Sequence, residues 1–205
     1  MHPEPYPATA ILSLLQSPHL TPQTRDVLQM RLAKKERIQP AFLDDGLFRV
    51  LEAVCNCLYP PEPGQPPVPL AVMLEEELAT GPGRGWRFDA LPPLQEMFMQ
   101  GLHSIDDEAR TMQKKSFIQA SPGEQEQVLQ AVQQGRTTAA SWKTLSPQLF
   151  FTELLASATE LYYSHPQTKD IIGDASFADQ PGWQHIGLNG FDGREPHPIN
   201  APSNE

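Results

Sequence analysis

The chain has 205 residues and a mass of 22.8 kDa, with 39% hydrophobic residues and a formal net charge of -10. That length and apolar share suit one modest core with loose ends. The acidic balance (pI near 5.0) argues against nucleic acid, because neutralising phosphates requires clustered Lys and Arg. The 22 prolines, roughly twice average usage, fall between apolar segments and predict short helices joined by stiff connectors.

In chain order, Ile11-Leu12-Ser13-Leu14-Leu15 forms an apolar patch in a Pro- and Ser-punctuated arm and predicts a short docking helix. Thr21-Pro22 then offers an N-cap followed by proline at the first helical position, with Val27, Leu28 and Leu32 as the apolar stripe. The one basic stretch, Arg31 to Arg37, reads as a solvated helix face. Leu43, Leu47, Val50, Leu51, Val54 and Leu58 recur with helical period, and Asp44 and Asp45 lie where the helix dipole favours negative charge. "YPPEPGQPPVP" (59–69) cannot continue a helix, since proline lacks the N–H and fixes φ.

Further helices are predicted over Leu70 to Ala79, from Pro92-Pro93 through Leu94, Met97, Phe98, Leu102 and Ile105, and from Ser121-Pro122 with Glu124 through Val128, Leu129 and Val132. Ser146-Pro147 starts the last, carrying Leu149, Phe150, Leu154, Ala158, Leu161 and Tyr162. No segment alternates apolar and polar residues. The expected fold is all-α, a compact bundle of about six short helices with Pro-rich connectors and an irregular C-terminal tail. The expected divisions are an arm with the first helices over 1–42, a helical domain over 43–190, and a mobile tail over 191–205.

Chemistry-bearing motifs are sparse. Dinucleotide, phosphate-loop, HExxH and GxSxG signatures do not occur. "GPGRG" (81–85) follows no strand and reads as a loop pinned by Trp86. Cys55 and Cys57 diverge by about 200° on a helix and have no companion ligands, so small buried hydrophobes are expected. His165, Asp170, Asp174, His185 and Asp192 have irregular spacing for a metal site, and a solvated acidic tail is the simpler reading; from Leu145 onward there are eight Asp/Glu against two Lys/Arg. Glu153 and Glu160 default to solubilising surface groups, and His2, His19 and His103 have no partner pattern. Trp142, Trp183, Phe177 and Phe191 sit in loops; self-packing is favoured for Trp142 and Phe177, and Trp183 is left open as a partner anchor. No catalytic, cofactor-binding or metal-binding residue is assigned.

Several stretches in order resemble one family. "LEAVCNCLYPPEP", "LEEELATGPGRGWRFDALPPLQEMFMQGLHSIDDEAR", "SFIQASPGEQEQVLQAVQQG" and "LFFTELLASATELYYSHP" followed by "GWQHIGLNG" are similar to the gluconate 2-dehydrogenase subunit 3 family, over roughly residues 43 to 190. The resemblance implies a small non-catalytic subunit that accompanies a large FAD-dependent oxidoreductase of the glucose-methanol-choline type, which oxidises sugars or sugar acids and often passes electrons to a cytochrome c subunit. It implies support for the folding, stability and export of that subunit. The flavin is expected in the partner and no cofactor in this chain.

The family's export commonly uses a twin-arginine leader, and "MHPEPYPATAILSLLQ" has no arginine pair. With no charged, apolar leader and no run of roughly 20 apolar residues, the expectation is a cytoplasmic chain without membrane insertion, the alternative being periplasmic within a dehydrogenase complex. In "ELYYSHPQTKD" (160–170), Pro166 stops the helix and pushes His165 out of helical backbone angles, while Tyr163 lies one step off the apolar stripe. Tyr163, His165, Pro166 and Trp183 are therefore the candidate partner-binding residues, set against the alternative that they brace the tail. Two other readings are a free-standing metal-dependent helical enzyme using His165 and nearby carboxylates, and an adaptor binding through its acidic tail.

Overall fold

The computed structural model describes residues 15–16, 20–34, 36–37, 40–61, 64, 66–80, 88 and 90–174. Among the described residues seven α-helices and two short 3-10 helices are delimited, and no strand occurs. They are α1 (Pro22–Ala33), α2 (Asp45–Leu58), α3 (Leu70–Thr80), α4 (Leu94–Gln113), η1 (Phe117–Gln119), α5 (Pro122–Gln133), η2 (Ala140–Thr144), α6 (Pro147–Ser164) and α7 (Pro166–Ile172). The fold is all-helical, as the periodicity predicts. α7 is the addition: proline ends α6 and at once begins another helix.

Two compact units divide the chain. One is Glu36–Tyr162; the other combines Met1–Lys35 with Tyr163–Glu205. Residues 163–174 group with the arm, α7 packing on α1.

The Glu36–Tyr162 unit is built around α4, which touches α2, α3, α5, η1 and η2. Its helices start where local chemistry satisfies the first free N–H groups. Asp44 caps α2 by accepting the Leu47 N–H at 2.8 Å. Ser121 and Glu124 form a reciprocal capping box on α5, the Glu124 carboxylate accepting the Ser121 N–H at 2.7 Å. Ser121→Ala is expected to cost about 1 kcal/mol, read by urea denaturation monitored by circular dichroism.

Leu43, Leu47, Val50, Leu51 and Val54 are buried as their spacing predicts, and meet Met97, Phe98, Leu102, Ile105, Val128, Val132, Phe150 and Leu154 in one core. Trp142 is buried and lies tilted on Phe150 with centroids 5.8 Å apart, so it packs within its own unit. Tyr162 stacks on Tyr59 at 4.2 Å, and the Tyr59 hydroxyl bonds Thr159 Oγ1 at 2.6 Å.

Two of this unit's buried acids, Glu75 and Glu108, sit where apolar residues would continue the stripe. Glu108 is fully buried and accepts the backbone N–H groups of Thr138 and Ala139 (3.0 and 2.8 Å) together with the Thr138 hydroxyl. One helical carboxylate thus ties down the chain entering η2. Glu75, 1% exposed, takes a forked pair of bonds from Arg37, Nε to Oε2 at 2.7 Å and Nη2 to Oε1 at 2.6 Å. Arg37 also bonds Asp45 at 2.7 Å and lies 4.3 Å over the Phe48 ring. The expectation of a solvated basic face over Arg31 to Arg37 is corrected here. α1 ends at Ala33, and Arg37 turns inward because a buried acid is waiting for it.

Candidate partner-binding surface

The second unit has its own small core: Leu15, Leu20 and Leu28 are buried, with Leu32 packed beside them. Thr21 caps α1 by accepting the Thr24 N–H at 3.3 Å, with Pro22 in the first turn. Arg25 Nε donates to the Leu15 carbonyl at 2.8 Å, tying the start of α1 to the segment before it.

The elbow 164–166 is set by proline geometry. His165 is extended (φ -72, ψ 134), as a residue preceding proline must be, and Pro166 occupies the first turn of α7. His165 then serves as the N-cap: its Nδ1 accepts the Gln167 N–H at 3.3 Å. Its other nitrogen, Nε2, meets the Arg31 carbonyl at 3.3 Å, and Arg31 Nη1 donates to the Ser164 carbonyl at 3.0 Å. The two elements therefore hold each other by reciprocal bonds. At its far end α7 stops at Gly173, whose left-handed φ of 71° suits a residue without Cβ, and Lys169 pairs with Asp174 across that stop.

Of the four candidate residues, Tyr163 stands open at 45% exposure. His165 is 3% exposed and Pro166 is buried, the ring lying between α7 and α1 rather than open to water. Trp183 lies outside the described residues, as do Trp86, Phe177, His185, Phe191, Asp192 and the 191–205 tail. Burial draws the His165 pKa below the ordinary imidazole value and the Arg31 charge adds to this, against an upward pull from the Arg31 carbonyl. In the same unit Val27, Met30, Ile171 and Ile172 are also exposed, so five large apolar side chains are exposed among its described residues.

Among the described residues no three His, Cys, Asp or Glu side chains gather as metal ligands. Cys55 is buried and free, and burial pushes its thiol up, away from the thiolate a nucleophile needs. Cys57 is also free but only half-buried, and its Sγ donates to Gln125 Oε1 at 3.3 Å. Glu153, read as a surface acid, is 8% exposed, while Glu160 stays exposed. No described helix is long and apolar enough to cross a membrane.

Arg31, Arg37, Glu75 and Glu108 hold the most consequential polar contacts, and no sequence motif marks them. The available signal is positional: Glu75 lies between Ala71 and Leu78, and Glu108 follows Ile105, so both acids occupy stripe positions.

The family model for gluconate 2-dehydrogenase subunit 3 matches residues 47–190, well over half of the chain. No curated protein and no solved structure matches it.

Proposed function

Because the chain belongs to the gluconate 2-dehydrogenase subunit 3 family, we propose that it is the non-catalytic small subunit of a large FAD-dependent, glucose-methanol-choline-type dehydrogenase acting on sugars or sugar acids. In this reading it supports the folding and stability of the catalytic subunit, the flavin belongs to that subunit, and a cytochrome c subunit is a further member of the complex. The observation that carries it is the family match over residues 47–190. A second supports it: exposed Tyr163, Ile171, Ile172, Val27 and Met30 are side chains that a partner would cover at a gain in hydrophobic free energy. Tyr163 is the candidate contact among the described residues, and Trp183 is a second candidate on sequence grounds alone.

Co-expression with a large flavoprotein of that type from the same genome tests the proposal. The two should co-purify with the flavin absorbance in the large chain, and the large chain should be more soluble than when made alone. Tyr163→Asp should lower recovered complex about tenfold, as loss of an aromatic anchor does. Co-expression that yields neither complex nor a gain in solubility would sink the proposal.

A further inference from the structure

We propose that His165 is a pH-released latch: its neutral ring fastens α7 to α1, and a proton arriving at Nδ1 undoes the fastening. The two ring contacts ask for opposite things. Nε2 faces the Arg31 carbonyl oxygen, which only accepts, so Nε2 must carry hydrogen. Nδ1 faces the Gln167 N–H, which only donates, so Nδ1 must keep its lone pair. One species meets both demands, the neutral tautomer protonated at Nε2. The imidazolium sets N–H against N–H at the first turn of α7 and removes its cap.

Neither ring nitrogen bonds a carboxylate, and the ring is 3% exposed. From α1 the charged group at the elbow is Arg31, whose guanidinium already bonds the Ser164 carbonyl, so a second positive charge would gather beside the first. The other charged side chains of α1 point elsewhere: Arg25 bonds the Leu15 carbonyl, and Asp26 is exposed. On α7 itself Lys169 is paired with Asp174, and Asp170 is buried.

The sign follows from these contacts. A released His165 in water takes up its proton near the ordinary value of about 6.5, whereas the docked ring resists it. Docking is therefore at full strength above that pH and weakens as pH falls below it. Release would also rearrange the neighbourhood of Tyr163, Ile171 and Ile172, so the same apolar side chains would be presented differently in an acidic and a neutral compartment.

The test uses the full chain, isotope-labelled, without any partner, so its outcome is separate from that of the complex. Long-range nitrogen–proton correlation at about pH 7.5, above the ordinary imidazole value, should find the His165 proton on Nε2 and none on Nδ1. Amide exchange at Gln167 to Asp170, corrected for intrinsic rates, should quicken about tenfold between about pH 7.5 and 5.5, while the amides of Phe98 and Leu102 keep their protection. His165→Asn retains a capping acceptor that does not titrate, and in it the exchange of residues 167–170 should no longer depend on pH. A proton on Nδ1 at neutral pH overturns the latch. So does an unchanged pH dependence in His165→Asn; if that variant does not fold, the tautomer and the wild-type exchange profile decide.

Discussion

Arg37→Ala is expected to destabilise the Glu36–Tyr162 unit by about 3–5 kcal/mol, the range for removing one partner of a buried ion pair. The cost does not come from losing an attraction alone. Glu75 is 1% exposed, and without Arg37 its carboxylate keeps the backbone N–H groups of Ala41, Phe42 and Leu43 (3.4, 3.3 and 3.0 Å) and nothing cationic. Burial pulls the Glu75 pKa up, and the Arg37 fork and the Leu43 and Phe42 amides outweigh it, leaving a net value below the ordinary one. A depressed carboxyl contributes stability that is present above the unfolded value of about 4.3 and is lost as pH falls through the folded value. In Arg37→Ala the burial penalty is no longer outweighed, so the acid would be relieved by protonation. Equilibrium unfolding in urea across pH should therefore show the gap between wild type and variant narrowing toward about pH 4. The double variant Arg37→Ala/Glu75→Gln should be more stable than Arg37→Ala itself, because no bare charge is left inside. A loss under about 1 kcal/mol, or a gap independent of pH, would mean that solvent screens the pair after all.

The sequence shows most of this architecture because its signals are local. Thr21-Pro22, Asp44, and Ser121-Pro122 with Glu124 mark helix starts through bonds spanning three residues, and all three caps form. The stripe from Leu43 to Val54 is buried for the same reason: helical period alone decides which side chains share a face. What the sequence conceals is non-local. "PQTKDII" has too few turns to show a stripe, and α7 depends on a histidine cap and on a carbonyl of α1 more than 130 positions away in sequence. Glu75 and Glu108 occupy stripe positions, but what they bind is supplied by loops whose placement the sequence does not show. The exposure of Tyr163 was readable, since it lies one position off the stripe that carries Tyr162 onto Tyr59. The burial of His165 was not, because proline predicts where the backbone turns and is silent on what the ring then meets.

Gly101→Ala should lower stability by about 3 kcal/mol, although alanine is worth about 1 kcal/mol more than glycine in a helix interior. The balance is decided by Phe150. A Cβ built on Gly101 would lie 2.1 Å from Phe150 Cε2 and 2.3 Å from Cζ, far inside van der Waals contact. Phe150 is fully buried, edge-on to Phe98 at 6.1 Å and tilted against Trp142, so its ring has no free direction in which to retreat. Glycine on α4 is thus the groove into which the α6 ring fits. The partner substitution separates this from a loss of helix propensity. Phe150→Leu alone opens a void and should be destabilising, whereas in the Gly101→Ala background it should recover part of the loss, giving a favourable coupling in a double-mutant cycle. Additive effects would show that ring and helix are not in steric contact, and a Gly101→Ala chain as stable as wild type would show that the core yields where close packing says it should not.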